Sequence, residues 1–161
     1  MRDAFLRSLI TIAEIDDRVA LLTGDLGFGV VEKFGEKFPD RFWNCGVAEQ
    51  SMIGIAAGLA KSGMRPFVYS IANFPTFRCL EQIRNDICYH NLPVTIVSVG
   101  AGLGYGTLGY THHGIEDIAA LRSLPNISIY SPSDPIDVTQ VLSRINKNPA
   151  PTYLRLGKNG E

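Results

Sequence analysis

The sequence predicts an α/β fold of three α/β/α layers, with a mostly parallel sheet of about six strands, in one domain over residues 1–161. Three observations predict it. Strand-like and helix-like segments alternate from end to end. The strand-like runs are continuously apolar, as in strands covered on both faces, with no in–out alternation. The chain is 161 residues long and 45% apolar, enough for one sizeable core.

Taken in order, Asp3–Asp17 places Leu6, Leu9, Ile10 and Ala13 at helical spacing. Val19–Thr23 is a short apolar run closed by Gly24-Asp25-Leu26-Gly27, a buried strand and its loop. Val30–Phe38 reads as a helix stopped by Pro39, and Phe42–Asn44 as a short strand. Val47–Lys61 is a helix ending at Gly63. Pro66–Ile71 is a strand and Pro75–Tyr89 a helix. Pro93–Val99, rich in β-branched residues, is the clearest strand. After a glycine-rich stretch come a helix over Ile115–Ser123, a strand over Ile127–Tyr130, a helix over Pro135–Asn146 and a last strand over Thr152–Leu156.

Composition excludes several classes. A formal charge of −1 offers no field for nucleic acid or an anionic membrane surface. No apolar run approaches the ~18 residues of a membrane span, and Asp3 and Arg7 interrupt any signal-like segment. Cys45, Cys79 and Cys88 are odd in number and contain no CxxC pair. Neither a disulfide framework nor a metal site is expected, and the chain reads as reduced and cytoplasmic.

Ligands of parallel sheets bind beyond the carboxyl ends of the strands, which directs attention to the loops there. Gly104–Gly109 is a literal GxGxxG, but Tyr110-Thr-His-His-Gly114 intervenes before any helix, so a loop over a ligand fits better than a dinucleotide fingerprint. Adjacent His112 and His113 on an extended segment would point in opposite directions, one of them into a pocket. Hydrogen bonding at a helix start is the plainer alternative for them.

Gly46–Ala60 carries Gly54, Ala56, Ala57, Gly58 and Ala60, a helix with little side-chain bulk that suits close packing on a sheet, a helix or another subunit. Glu49 lies in its first turn, where a lone glutamate usually serves the helix dipole, worth about 0.3–1 kcal/mol. A carboxyl in a dry, glycine-lined niche also suits a buried proton shuttle. Tyr69, Phe74 and Phe77 surround the next loop, and Arg78 and Arg84 read first as solvated charges. Cys45 has no adjacent base to make it a nucleophile.

Gly46-Val-Ala-Glu-Gln50, the small-residue helix, Gly104–Asp117 with its Thr-His-His core, and Tyr130-Ser-Pro-Ser-Asp134 together resemble the pyrimidine-binding domain of the transketolase family, over essentially the whole chain. The resemblance implies a thiamin-diphosphate-binding fold and a thiamin diphosphate enzyme. By that resemblance Glu49 hydrogen-bonds the ring nitrogen of the aminopyrimidine and favours the tautomer that takes the proton from the thiazolium carbon. His112 faces the substrate, with His113 beside it. Phe74, with Tyr69 as second choice, packs on the pyrimidine, and Arg78 and Arg2 bind substrate or its phosphate.

Two departures from the family pattern bear on function. Leu108 stands four residues before the loop histidine, where sugar-transferring members often carry an aspartate that reads a donor hydroxyl. The GDG motif with its distal asparagine, which holds diphosphate and magnesium, is not found. The resemblance therefore implies a partner chain or domain carrying diphosphate and Mg2+, a homodimer or heterotetramer, and two-carbon ketol transfer between sugar phosphates. A deoxyxylulose-phosphate synthase-like or 2-oxo acid dehydrogenase beta-like activity, and a non-catalytic binding module, are the alternatives.

Overall fold

The computed structural model describes residues 1–158. Six strands pair in parallel throughout: β1 (Val19–Thr23), β2 (Phe42–Asn44), β3 (Arg65–Ile71), β4 (Thr95–Val99), β5 (Ser128–Tyr130) and β6 (Thr152–Leu156). Their order is β2-β1-β3-β4-β6-β5. Every residue of β1 and β4 is buried, as their unbroken apolar runs require. The edge strands β2 and β5 are short and half-buried or exposed, which limits edge-to-edge pairing.

Successive residues of the central strands divide between two cores. Leu21, Phe67, Tyr69, Val97 and Leu154 meet α1 (Arg2–Ile15) and α7 (Pro135–Lys147). Leu22, Val68, Ile96 and Tyr153 meet α3 (Glu49–Lys61) and the buried Ile83, Ile87 and Leu121. These are the predicted three layers. The chain leaves β1 toward β2 on one side, then crosses back to β3 on the other. The carboxyl ends of β1 and β3 thus flank a topological switch point.

Four helices depart from their expected bounds. The Val30–Phe38 helix shrinks to α2 (Glu32–Lys37), because Val30 and Val31 donate instead to the Gly27 carbonyl in a tight turn. The Val47–Lys61 helix begins only at Glu49, since Gly46 (φ 70°) and Ala48 (φ −141°) hold non-helical backbone. The Pro75–Tyr89 helix breaks into α4 (Asn73–Phe77) and α5 (Leu80–Gln82), which runs into a π-helical stretch over Ile83–Cys88. Cys79, at φ −114° and ψ 11°, is the break. The wider turn seats Ile83, Ile87 and Cys88 together in the core. The Ile115–Ser123 helix shortens to α6 (Asp117–Leu121).

The small-residue helix α3 packs on the sheet through its alanines, while its glycines face away. Met52, Ile53, Ala56, Ala57 and Ala60 form its buried face, whereas Cβ atoms at Gly54 and Gly58 would meet nothing within 4 Å. Among the described residues no helix is long and apolar enough to cross a membrane.

Candidate active site

Glu49 is delivered by the two loops at the switch point. Asn44 Oδ1, at the end of β2, accepts from Asp25 N at 2.9 Å and Gly46 N at 3.0 Å, and its Nδ2 donates to Asp25 Oδ1 at 3.0 Å. Asp25 adopts φ 58°, a conformation that Asp tolerates better than most residues. Cys45 N donates to Thr23 O at 2.8 Å, pinning the same loop to β1. With Gly46 in the left-handed region, the chain turns sharply and Glu49 becomes the first residue of α3.

The carboxylate is 4% exposed. Oε2 accepts from Arg78 Nη1 at 3.1 Å, while Oε1 is buried without a partner. A buried acceptor left unpaired costs about 1–3 kcal/mol, so Oε1 is poised for a donor that the chain does not supply. Gly24 lies close to it, since a Cβ there would stand 3.7 Å from Oε1, in ordinary contact. Val47, Ala48, Glu49, Gln50, Ser51 and Arg78 line a hollow of about 390 Å³. The niche is thus not simply apolar, as its glycines led one to expect: a cation stands against one oxygen, and only the other is bare.

Arg78 links this carboxylate to the loop residues. Its guanidinium lies 4.1 Å over the Phe74 ring, and its backbone carbonyl accepts from Gln50 Nε2 at 2.8 Å. Phe74 meets the His112 ring edge-on at 5.1 Å, and His112 lies 5.7 Å from Tyr105. Asn73 Nδ2 donates to Thr111 O at 2.6 Å, tying the start of α4 to the histidine loop. Glu49, Arg78, Phe74 and His112 therefore form one continuous row.

The glycine-rich segment does not open into a helix. It forms short 3-10 turns at Gly106–Leu108 and Tyr110–His112, which removes the dinucleotide reading. The two histidines diverge, His112 toward Phe74 and His113 Nε2 to the Gly106 carbonyl at 3.1 Å. His113 lines a second hollow of about 390 Å³ with Asn73, Phe77, Tyr110 and Glu116.

Tyr69 and Arg2 stand apart from the row. Tyr69 is 2% exposed and stacks on Phe5 at 5.9 Å, in the core on the α1 side of the sheet. Strand alternation sends Tyr69 to the face opposite α3, whereas Phe74 is linked to Glu49 through Arg78. Arg2, half-buried at the start of α1, acts electrostatically on Tyr69 and Tyr105. Burial raises both phenols, and Arg2 opposes the shift. Burial likewise raises the Cys45 thiol and pushes Cys79 up to about 12, so neither is an activated nucleophile. Among the described residues no group of His, Cys, Asp and Glu is arranged to hold a metal ion.

Sequence reasoning missed Asp25, Asn44, Gln50 and Asn73. Each acts through a hydrogen bond to a residue distant in sequence, which no local pattern announces. The one available signal was Asp25 inside Gly-Asp-Leu-Gly, a loop too ordinary to mark.

An α/β domain with a buried, half-satisfied glutamate at its switch point presents a candidate ligand-binding site. The transketolase pyrimidine-binding domain family matches residues 1–160, and the chain belongs to that family. A subunit of the apulose-4-phosphate transketolase of Phocaeicola vulgatus is 39% identical over 158 residues, 98% of this chain and 51% of the relative. The putative transketolase C-terminal section of Methanocaldococcus jannaschii is 38% identical over 157 residues, 97% of this chain and 50% of the relative. A solved structure described as a split-gene transketolase, inactive beta4 tetramer, superposes with a TM-score of 0.87 at 35% identity, covering 99% of this chain and 51% of that one. The chain spans about half the length of these relatives.

Proposed function

We propose that this chain provides the pyrimidine-binding side of a thiamin-diphosphate-dependent transferase that moves a two-carbon ketol unit between sugar phosphates. The observation that carries it is Glu49 Oε1, buried, without a partner and beside a hollow. A protonatable ring nitrogen is the donor this oxygen lacks, and the flat face of Phe74 lies in the same row. The residues fit the cofactor's pyrimidine. When bound, thiamin diphosphate supplies the carbanion chemistry that carries the two-carbon unit.

This chain's residues hold and orient. Glu49 holds a proton-bearing nitrogen at Oε1, in a site where the hydrogen bond that Asn44 Oδ1 accepts from Gly46 N fixes the turn into α3. Phe74 covers one face of the bound ring. Arg78, half exposed on the hollow, meets anionic oxygens of a sugar phosphate, and Arg2, apart from this row at the start of α1, is the second cation proposed for substrate. His112 faces the substrate and exchanges protons with its oxygens, and His113 backs it.

Diphosphate and Mg2+ fall to a partner chain or domain, giving a homodimer or heterotetramer with the site at the interface. The open face of α3, with Gly54, Ile55 and Gly58 exposed, is the surface offered to such a partner. A reduced, cytoplasmic setting suits the free cysteines.

Leu108 favours a second reading, because it is an exposed apolar side chain where ketol donors are read by an aspartate. That reading is a deoxyxylulose-phosphate synthase-like or 2-oxo acid dehydrogenase beta-like reaction. The test is to assay the complex assembled with a diphosphate-binding partner on sugar phosphates and on pyruvate. Ketol transfer supports the first reading. Turnover of pyruvate alone supports the second, and no turnover of either supports a non-catalytic module.

A further inference from the structure

Beneath the histidine loop lies a charged cluster that the site as described does not use. Asp117, at the start of α6, is fully buried. Its Oδ2 accepts from Tyr153 at 2.6 Å and from Arg155 Nε at 2.8 Å. Tyr153 also lies 2.8 Å from Ser98 Oγ. A phenol has one proton and a carboxylate only accepts, so Tyr153 donates to Asp117 and receives from Ser98. Both strands under the loop, β4 and β6, thereby fix the carboxylate.

The same guanidinium reaches the loop. Arg155 Nη2 donates to the Gly114 carbonyl at 2.6 Å. Gly114 is also the neck of the loop, because Gly102 N donates to Gly114 O at 2.8 Å and Gly114 N returns a bond to Gly102 O at 3.0 Å. The neck has no slack, since a Cβ at Gly114 would stand 2.6 Å from that of Ala72. His112 and His113 immediately precede it.

We propose that Asp117, acting through Arg155, is a positioning residue for the histidine loop, fixing Gly114 and hence the direction in which His112 and His113 leave the neck. A buried ion pair contributes little net stability compared with apolar side chains of the same volume. What this pair does supply is direction: the rigid, planar guanidinium keeps Nε and Nη2 in a fixed relation, the first held by Asp117 and the second given to Gly114. The bearing on catalysis rests on the reading of His112 as the substrate-facing histidine.

The test is amide hydrogen exchange on the full chain, comparing Gly102 and Gly114 with Ile96 and Val97 in β4. Asp117→Asn removes the charge that orients Arg155. Arg155→Lys keeps a cation for Asp117 but cannot also hold the Gly114 carbonyl, and it carries the test where Asp117→Asn does not fold. The expected result is exchange about tenfold faster or more at Gly102 and Gly114, with Ile96 and Val97 unchanged. Equal acceleration at all four amides, or none at Gly102 and Gly114, overturns the proposal. The exchange experiment uses neither cofactor nor substrate, so it and the turnover assay fail independently.

Discussion

Replacing Glu49 by glutamine keeps the shape of the side chain and removes its charge, at a carboxylate whose Oε1 is buried without a partner. Turnover by the assembled complex should fall by about 10²–10⁴-fold, the range for losing a positioned acid–base group. Circular dichroism should show the fold intact. Unchanged turnover would remove Glu49 from the chemistry. Arg78 gives a second residue-scale prediction, because it contacts both Glu49 and Phe74. Arg78→Met should raise KM for a phosphorylated substrate about tenfold or more, while a neutral analogue is affected less, as loss of a charge-assisted contact requires. Equal effects on both substrates would assign Arg78 to Glu49 alone. At this scale the sequence was only partly legible. Glu49 and His112 stood out as motif residues, but the Glu49–Arg78 pair spans 29 residues and leaves no periodic trace. Tyr69 was misleading because an unbroken apolar strand does not disclose which residues face which layer.

Among the elements, the strands were easiest to read, since β-branched runs bounded by turn residues have few alternatives. Helix bounds were harder. The π-helical stretch at Ile83–Cys88 depends on its packing in the core it shares with α3, and the late start of α3 on the turn that Asn44 ties to Asp25, 19 residues away. The beginning of α7 was legible because Asp134 precedes Pro135. Asp134 Oδ1 accepts from Asp137 N at 2.8 Å, an N-cap. Asp134→Ala should therefore lower unfolding stability by about 1 kcal/mol in urea denaturation, while substrate KM stays unchanged. A loss of catalytic function without a loss of stability would contradict the purely structural role given to α7.

For the whole molecule, the floor of the sheet is held opposite the site. Arg65, 7% exposed, donates from Nη1 to Asp16 Oδ2 at 2.9 Å and to Asn146 Oδ1 at 2.7 Å, joining the ends of α1 and α7 to β3. Hydrogen bonding from Arg18 first, aided by Arg65, holds the Asp16 carboxyl well below the ordinary carboxylate range. Because the folded value is depressed, this contribution is fully present above the unfolded value of about 3.9 and fades as pH falls below it. The urea midpoint should drop between neutral pH and pH ~3, and by less in Asp16→Asn. Identical drops in both proteins would remove Asp16 from the acid response.

The central claim is that the chain holds one half of a shared cofactor site. The most direct measurement is calorimetric titration of thiamin diphosphate with magnesium into the chain alone, and then into the chain mixed with a diphosphate-binding partner of the split-transketolase type. Binding only in the mixture, weakened by Glu49→Gln, is the predicted result. Equal binding by the chain alone, or binding in the mixture indifferent to Glu49→Gln, would contradict the account.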